Sequence, residues 1–198
     1  GDDAVSTLGG RLVAEKAGDV LLLLDQSASL QESDPERARV DSAIYLTESL
    51  SSFAQRNDVD LSMAVAGFDV DFQKRSGWES VGDGTDRTVA ALTAMRTADT
   101  GWETDYWNAL EGARQAMRDR AATEGGSRSQ TIVWFSDGYF ELDTRSTPQE
   151  RRDFGTTKPY AGPLKLTSDD AVREAESLGR ESLCRDGGLA DQLRASDV

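Results

Sequence analysis

The sequence predicts an α/β fold: a doubly wound, mostly parallel central sheet with one antiparallel edge strand and helices on both faces. Three observations predict it. Two apolar runs, residues 20–24 and 131–135, each end abruptly in a polar turn, as strands covered on both faces do. Between them lie segments whose apolar residues keep helical spacing, so strand and helix alternate along the chain. At 198 residues the chain is long enough for one well-buried domain of this kind and short for two.

The elements follow in order. Residues 1–18 form a lead-in, in which Arg11-Leu-Val-Ala-Glu-Lys16 reads as short and extended. The run Asp19-Val-Leu-Leu-Leu-Leu-Asp25 is a buried strand. It sets Asp25 at the carboxyl end of the sheet, where open α/β sheets place their ligands. Ser33-Asp34-Pro35-Glu36 starts a helix, with Asp34 as its cap and Pro35 at the first helical position. Val40, Ala43, Ile44, Leu50 and Phe53 carry that helix to about Gln55. Residues 61–68 alternate as a second strand. Residues 70–78 then turn back as the antiparallel edge, because the linker at Asp69 is too short for a crossover helix.

Gly82-Asp-Gly-Thr-Asp86 is a turn and cap before a helix carried by Val89, Leu92 and Met95; without a third glycine and a lysine it is no phosphate loop. Tyr106, Ala109, Leu110, Ala113 and Met117 mark a further helix, for which Thr104 is a natural cap. The strand at 131–135 runs into Ser136-Asp137-Gly138 and repeats the opening theme of an apolar run ending in a carboxylate. Residues 139–167 hold every proline except Pro35 and read as a long loop insertion bordering that strand end, with a short helix at 148–152 and Tyr139 and Phe140 facing a partner. A helix from Thr167-Ser-Asp-Asp170, carrying Val172, Ala175 and Leu178, and a last amphipathic segment at 189–195 close the chain.

Composition removes several function classes. Lys and Arg total 22 against 36 Asp and Glu, a formal charge of -14, which repels phosphate backbones and anionic membranes, so nucleic acid is not an expected partner. There is no histidine. An imidazole base, a Ser-His-Asp relay and a His-bound zinc are thereby excluded. Cys184 is the sole cysteine, so no intrachain disulfide is expected. No apolar stretch is long enough to span a bilayer, and no direct membrane insertion by this segment is expected. A first residue of Gly1 in place of Met is expected of a chain that begins inside a longer protein.

Asp25-Gln-Ser27-Ala-Ser29 can turn three oxygens on alternate residues toward one point. Oxygen-only clusters suit Mg2+, Mn2+ or Ca2+, not zinc, although the same residues also serve as turns or helix caps. Taken together, Asp25-Gln-Ser27-Ala-Ser29, Thr104 six residues before Leu110, and Ser136-Asp137-Gly138 resemble the von Willebrand factor A domain with its metal-ion-dependent adhesion site. The resemblance places the domain at 19–198, is weakest across 139–167, and implies a Rossmann-like fold. It implies that Ser27 and Ser29 bind a cation by their hydroxyls, Thr104 directly or through water, and Asp25 and Asp137 directly or through bound water. An acidic group of a protein partner would complete the coordination. Two carboxylates cancel a divalent charge, and neutral hydroxyls leave the ion Lewis acidity for one more anionic oxygen.

Two departures stand out. Trp102 and Glu103 occupy the approach to Thr104 where family chains often carry glycine. Family domains also continue with a further strand, and Ser196-Asp-Val198 reads as its first residues, so the C-terminal strand is expected to be truncated here. The function expected is a metal-dependent, non-enzymatic protein-binding or adhesion module, extracellular or at the cell surface, within a larger bacterial surface protein. Two alternatives remain. One is an intracellular scaffold of an ATPase or chelatase-type complex; the other is a Mg2+-dependent phosphohydrolase with Asp25 as nucleophile, as in haloacid dehalogenase-like enzymes. The second needs a carboxylate two residues after its nucleophile, where this chain has Ser27.

Overall fold

The computed structural model describes residues 2–99, 101–136, 138–142, 158–161 and 168–195. At its centre is β1 (Ala17–Asp25), which pairs in parallel with β2 (Asp60–Phe68) on one side and with β5 (Ser129–Phe135) on the other. Two short strands, β3 (Phe72–Lys74) and β4 (Glu79–Ser80), run antiparallel along the outer side of β2. The path is β3-β2-β1-β5, with β4 paired to β2.

Alternation along β1 divides the interior. Val20, Leu22 and Leu24 enter one core with Val40, Ala43 and Leu50 of α3 (Ala38–Asn57) and Leu92 of α4 (Asp86–Ala94). Leu21 and Leu23 enter the other with Ala109, Ala113 and Met117 of α5 (Tyr106–Glu124). Each of these five buried side chains contributes roughly 1.5–3 kcal/mol, so β1 anchors both layers and fixes where its last residue, Asp25, must lie.

The edge strand expected at 70–78 is split in two. Arg75 N and Ser76 N both donate to Val65 O (2.8 and 3.0 Å), and Ser76 Oγ accepts from Val65 N (2.9 Å). Two residues thus face one, the pattern of a β-bulge, and pairing resumes only at Glu79.

Two helix starts differ from expectation. The lead-in is not extended: Asp2–Glu15 form helix α1. Gly9 and Gly10 lower the local helix propensity, but Leu8 and Leu12, one turn apart, pack into the first core, and Leu12 fills the space that a side chain at Gly18 would need. Burial outweighs propensity. Lys16, at φ 58, ends the helix with its N–H on Leu12 O (2.9 Å). The chain makes a one-turn helix α2 (Leu30–Ser33), and α3 begins at Ala38, not at Pro35. Arg37 takes a left-handed conformation, φ 64, which no helix can pass through. Asp34 still satisfies the exposed amides, accepting from Ala38 N (2.6 Å) and Arg39 N (3.2 Å).

Helices α6 (Asp169–Cys184) and α7 (Leu189–Ala195) join a third cluster with residues of α5. Phe140, expected to face a partner, is a member of it, packed beside Tyr106 and Tyr160. The small residue Gly179 makes room for its ring. Tyr139 is 89% exposed. The helix expected at 148–152 and the strand start at 196–198 lie outside the described residues.

Candidate functional site

The carboxyl ends of β1 and β5 lie side by side. Leu24 pairs with Phe135, so the next residues, Asp25 and Ser136, adjoin at the sheet edge. Asp25 is 0% exposed. Its Oδ1 accepts from Ser27 N (2.8 Å), which folds the following turn back over the strand end, and its Oδ2 accepts from Ser136 Oγ (2.7 Å). The hydroxyls of Ser27 and Ser29 lie 3.1 Å apart and share one hydrogen bond. Ser27 is buried, whereas Ser29 and Ser136 are exposed, so the cluster opens to solvent on one side.

The loop after β1 is pinned to the loop before α5. Gly101 N donates to Gln26 O (2.9 Å) and Ala28 N to Gly101 O (2.9 Å), which sets Ser27 beside Gly101 as a parallel bridge. A Cβ at Gly101 would lie 2.2 Å from Asp69 Cβ, so only glycine fits this crossing. Thr104 pairs with Glu141 through two main-chain hydrogen bonds, Thr104 N to Glu141 O (2.9 Å) and Glu141 N to Thr104 O (3.3 Å). The cap of α5 is Asp105, whose carboxylate accepts from Asn108 N (3.0 Å), and not Thr104. A Cβ built on Gly138 would meet Thr104 Cγ2 at 3.6 Å, Asp25 Oδ2 at 3.7 Å and Ser136 Oγ at 3.9 Å. The Thr104 methyl, Asp25 Oδ2 and Ser136 Oγ therefore surround one point.

Of the five residues expected to bind a cation, Asp25, Ser27, Ser29 and Thr104 thus belong to loops that meet at one sheet edge. Asp137 lies outside the described residues, between Ser136 and Gly138, which both adjoin Asp25. No group of three or more Cys, Asp or Glu suited to a metal gathers among the described residues. The available donors are hydroxyls and the carboxylate of Asp25, a hard, oxygen-only set that fits Mg2+, Mn2+ or Ca2+.

Residues outside the motifs also shape the site. Arg39, 8% exposed, donates from Nε to the main-chain oxygen of Asp25 (3.1 Å), from Nη1 to Asp34 (2.7 Å) and from Nη2 to Asp99. It ties three loops together. Burial pushes the Asp99 carboxyl up, despite the opposing charges of Arg39 and Arg37. Tyr106 OH lies 3.0 Å from Ser136 Oγ and donates to Gly138 O. An open cleft of about 350 Å³ beside the site is lined by Leu30, Ala38 and Arg39 together with Trp134, Phe135 and Ser136.

Trp102 is exposed, but Glu103 turns inward. Its carboxylate pairs with Lys158 Nζ (2.5 Å), which also meets Asp105 Oδ2 (2.7 Å); Tyr160 OH donates to the same Asp105 oxygen (2.7 Å). Burial alone would lower the Lys158 pKa, yet Asp105 and Glu103 outweigh it and hold the ammonium above its ordinary value. Burial, then the Asp105 charge, pushes the Tyr160 phenol up, so it stays a donor. Arg39 sits amid the apolar spacing of α3, a faint signal in the sequence. Lys158, isolated in a polar stretch, gives none.

Comparison with known proteins agrees with this architecture. No curated protein matches the chain. Among solved structures, the three N-terminal domains of the type V pili tip protein Mfa5 from Porphyromonas gingivalis align with a TM-score of 0.51 and 18% identity, over 66% of this chain and 22% of that one. The D319A mutant of the PilB minor pilin from Streptococcus sanguinis aligns with a TM-score of 0.50 and 14% identity, over 65% of this chain and 32% of that one. The chain spans less than a third of either chain's length, and the likeness is one of fold. The family model for the von Willebrand factor type A domain matches residues 20–140, more than half of the sequence. The chain belongs to the von Willebrand factor type A domain family.

Proposed function

We propose that this domain is a non-enzymatic adhesion module that binds a protein partner through a divalent cation, Mg2+ or else Mn2+ or Ca2+, held by Asp25, Ser27, Ser29, Thr104 and Asp137. The observation that carries the proposal is the approach of Asp25 Oδ2 and Ser136 Oγ to one point, with the Thr104 side chain directed there through its methyl and the paired hydroxyls of Ser27 and Ser29 on the loop that Asp25 folds back. Bound there, the cation supplies Lewis acidity toward one further anionic oxygen, an acidic side chain of the partner. Asp25 contributes negative charge. Ser27 and Ser29 supply neutral donors, and Gly138 leaves space beside Thr104 that a side chain would fill.

Two features favour binding over hydrolysis. Asp25 is fully buried with both oxygens engaged by Ser27 N and Ser136 Oγ, and position 27 offers a hydroxyl where a general acid would stand. A setting at the bacterial surface is supported by the shared fold with a pilus tip protein and a minor pilin. Among the described residues no helix is long and apolar enough to cross a membrane.

Water-proton relaxation with Mn2+ tests the proposal, with acetate as the carboxylate probe. Binding of Mn2+ to the protein should enhance relaxation, and acetate should reduce the enhancement by displacing bound water; Asp25→Ala should abolish both effects. Enhancement that persists in Asp25→Ala would place the ion elsewhere and refute the proposal.

A further inference from the structure

We propose that Lys158 is a positioning residue for Thr104, clamping the two carboxylates on either side of it so that the threonine is held toward the cluster around Asp25. The inference rests on the proposed cation site for its purpose, but not for its geometry. Lys158 is 1% exposed, and its ammonium meets Glu103 at 2.5 Å and Asp105 at 2.7 Å, both buried. Asp105 N also donates to Asp69 O (3.0 Å), and Lys158 Nζ lies 3.5 Å from Val70 O. Three segments of chain, around residues 69–70, 103–105 and 158–160, therefore converge on one buried charge.

The arrangement matters because of where Thr104 sits. Its main chain is bridged to Glu141 as in a sheet, and Asp105 is extended. In extended chain, neighbouring side chains point to opposite sides. Glu103 and Asp105 face Lys158 on one side, while Thr104 approaches the Gly138 and Asp25 cluster on the other. Holding both neighbours from behind fixes the direction of the residue between them. A buried ammonium has a large desolvation cost and is retained only with well-placed counter-charges. Here those charges are the two residues that bracket an expected ligand. Tyr160, from the same short segment, adds a second donor to Asp105.

The test uses the whole chain and two readouts: amide hydrogen exchange at Thr104 and Glu141, and Mn2+ affinity by isothermal titration, both at a temperature where circular dichroism shows the variant folded. Lys158→Met should speed exchange at Thr104 and Glu141 by about tenfold while Val20 and Leu22 of the central strand stay protected, and should weaken Mn2+ binding by about tenfold. Unchanged exchange at Thr104 in the folded variant would overturn the proposal, as would a uniform rise that includes Val20 and Leu22. If Lys158→Met does not fold, Tyr160→Phe decides by the same readouts, with about threefold effects expected and none contradicting it. Should the wild-type protein bind no Mn2+, the cation reading fails, while the exchange data still decide whether Lys158 holds Thr104.

Discussion

The two ends of β1 each carry a fully buried aspartate, Asp19 and Asp25, and finish it in opposite ways. At the amino end, Asp19 Oδ1 accepts from Arg120 Nε (3.2 Å) and Arg128 Nε (3.1 Å). Arg128 also meets Asp60 (2.6 Å), while Arg120 donates to Ser62 Oγ (3.1 Å) and lies over the Trp78 ring. The charge is met by the protein's own guanidiniums. At the carboxyl end, Asp25 accepts from a main-chain amide and a hydroxyl, and Arg39 nearby reaches its main-chain oxygen while pairing with Asp34 and Asp99. Hydroxyls from Ser29 and Ser136 open that end to solvent. A carboxylate closed by arginines holds a fold together; the one at the other end, reached by a main-chain amide and a hydroxyl beside exposed serines, is where the proposed cation would sit.

Substitutions at the two ends should separate these roles. The largest effect is expected at the amino end: Asp19→Ala leaves Arg120 and Arg128 without their shared carboxylate and should cost about 3–5 kcal/mol in urea unfolding. The rise in stability on adding Mg2+ should survive in that variant. At the carboxyl end, wild-type protein should gain about 2.7 kcal/mol when Mg2+ reaches roughly 100 times its dissociation constant, and Asp25→Ala should gain nothing. A Mg2+ response equal in both variants would erase the distinction.

A smaller effect concerns pH. Burial raises the Asp34 carboxyl, but the Arg39 side chain and the amides of Ala38 and Arg39 outweigh it and hold it below its ordinary value of 3.8. Because the folded-state value is the lower one, Asp34 adds stability above pH 3.8 that is lost as pH falls through the folded value. Asp34→Asn should lower the unfolding free energy at neutral pH by about 1 kcal/mol through loss of the charged partner of Arg39, and should flatten the acid limb; an unchanged limb would show that Asp34 carries none of the acid sensitivity. The smallest effect is expected at Tyr139, where Tyr139→Ala should leave both stability and the Mg2+ response as they are, since the side chain is exposed.

The sequence made legible whatever depends on local pattern. The apolar runs of β1 and β5 mark strands of a covered sheet and set Asp25 at a strand end, whereas Thr104 joins the site only through the family resemblance. What stayed hidden depends on distant partners. Helix α1 forms across two glycines because Leu12 finds a place over Gly18. The edge strand breaks because Ser76 satisfies Val65 N. Asp105, not Thr104, caps α5, and Phe140 is covered by α6 rather than presented. Arg39 and Lys158 are charged residues that look like surface until their carboxylate partners are known.

The most direct measurement is anomalous diffraction from crystals grown with MnCl2. One strong anomalous peak is expected at the carboxyl end of β1, bonded to the hydroxyls of Ser27 and Ser29 with Asp25 and Asp137 beside it, and it should be lost in Asp25→Ala. A peak only on other acidic surface groups, with none between Asp25 and Thr104, would contradict the proposed site.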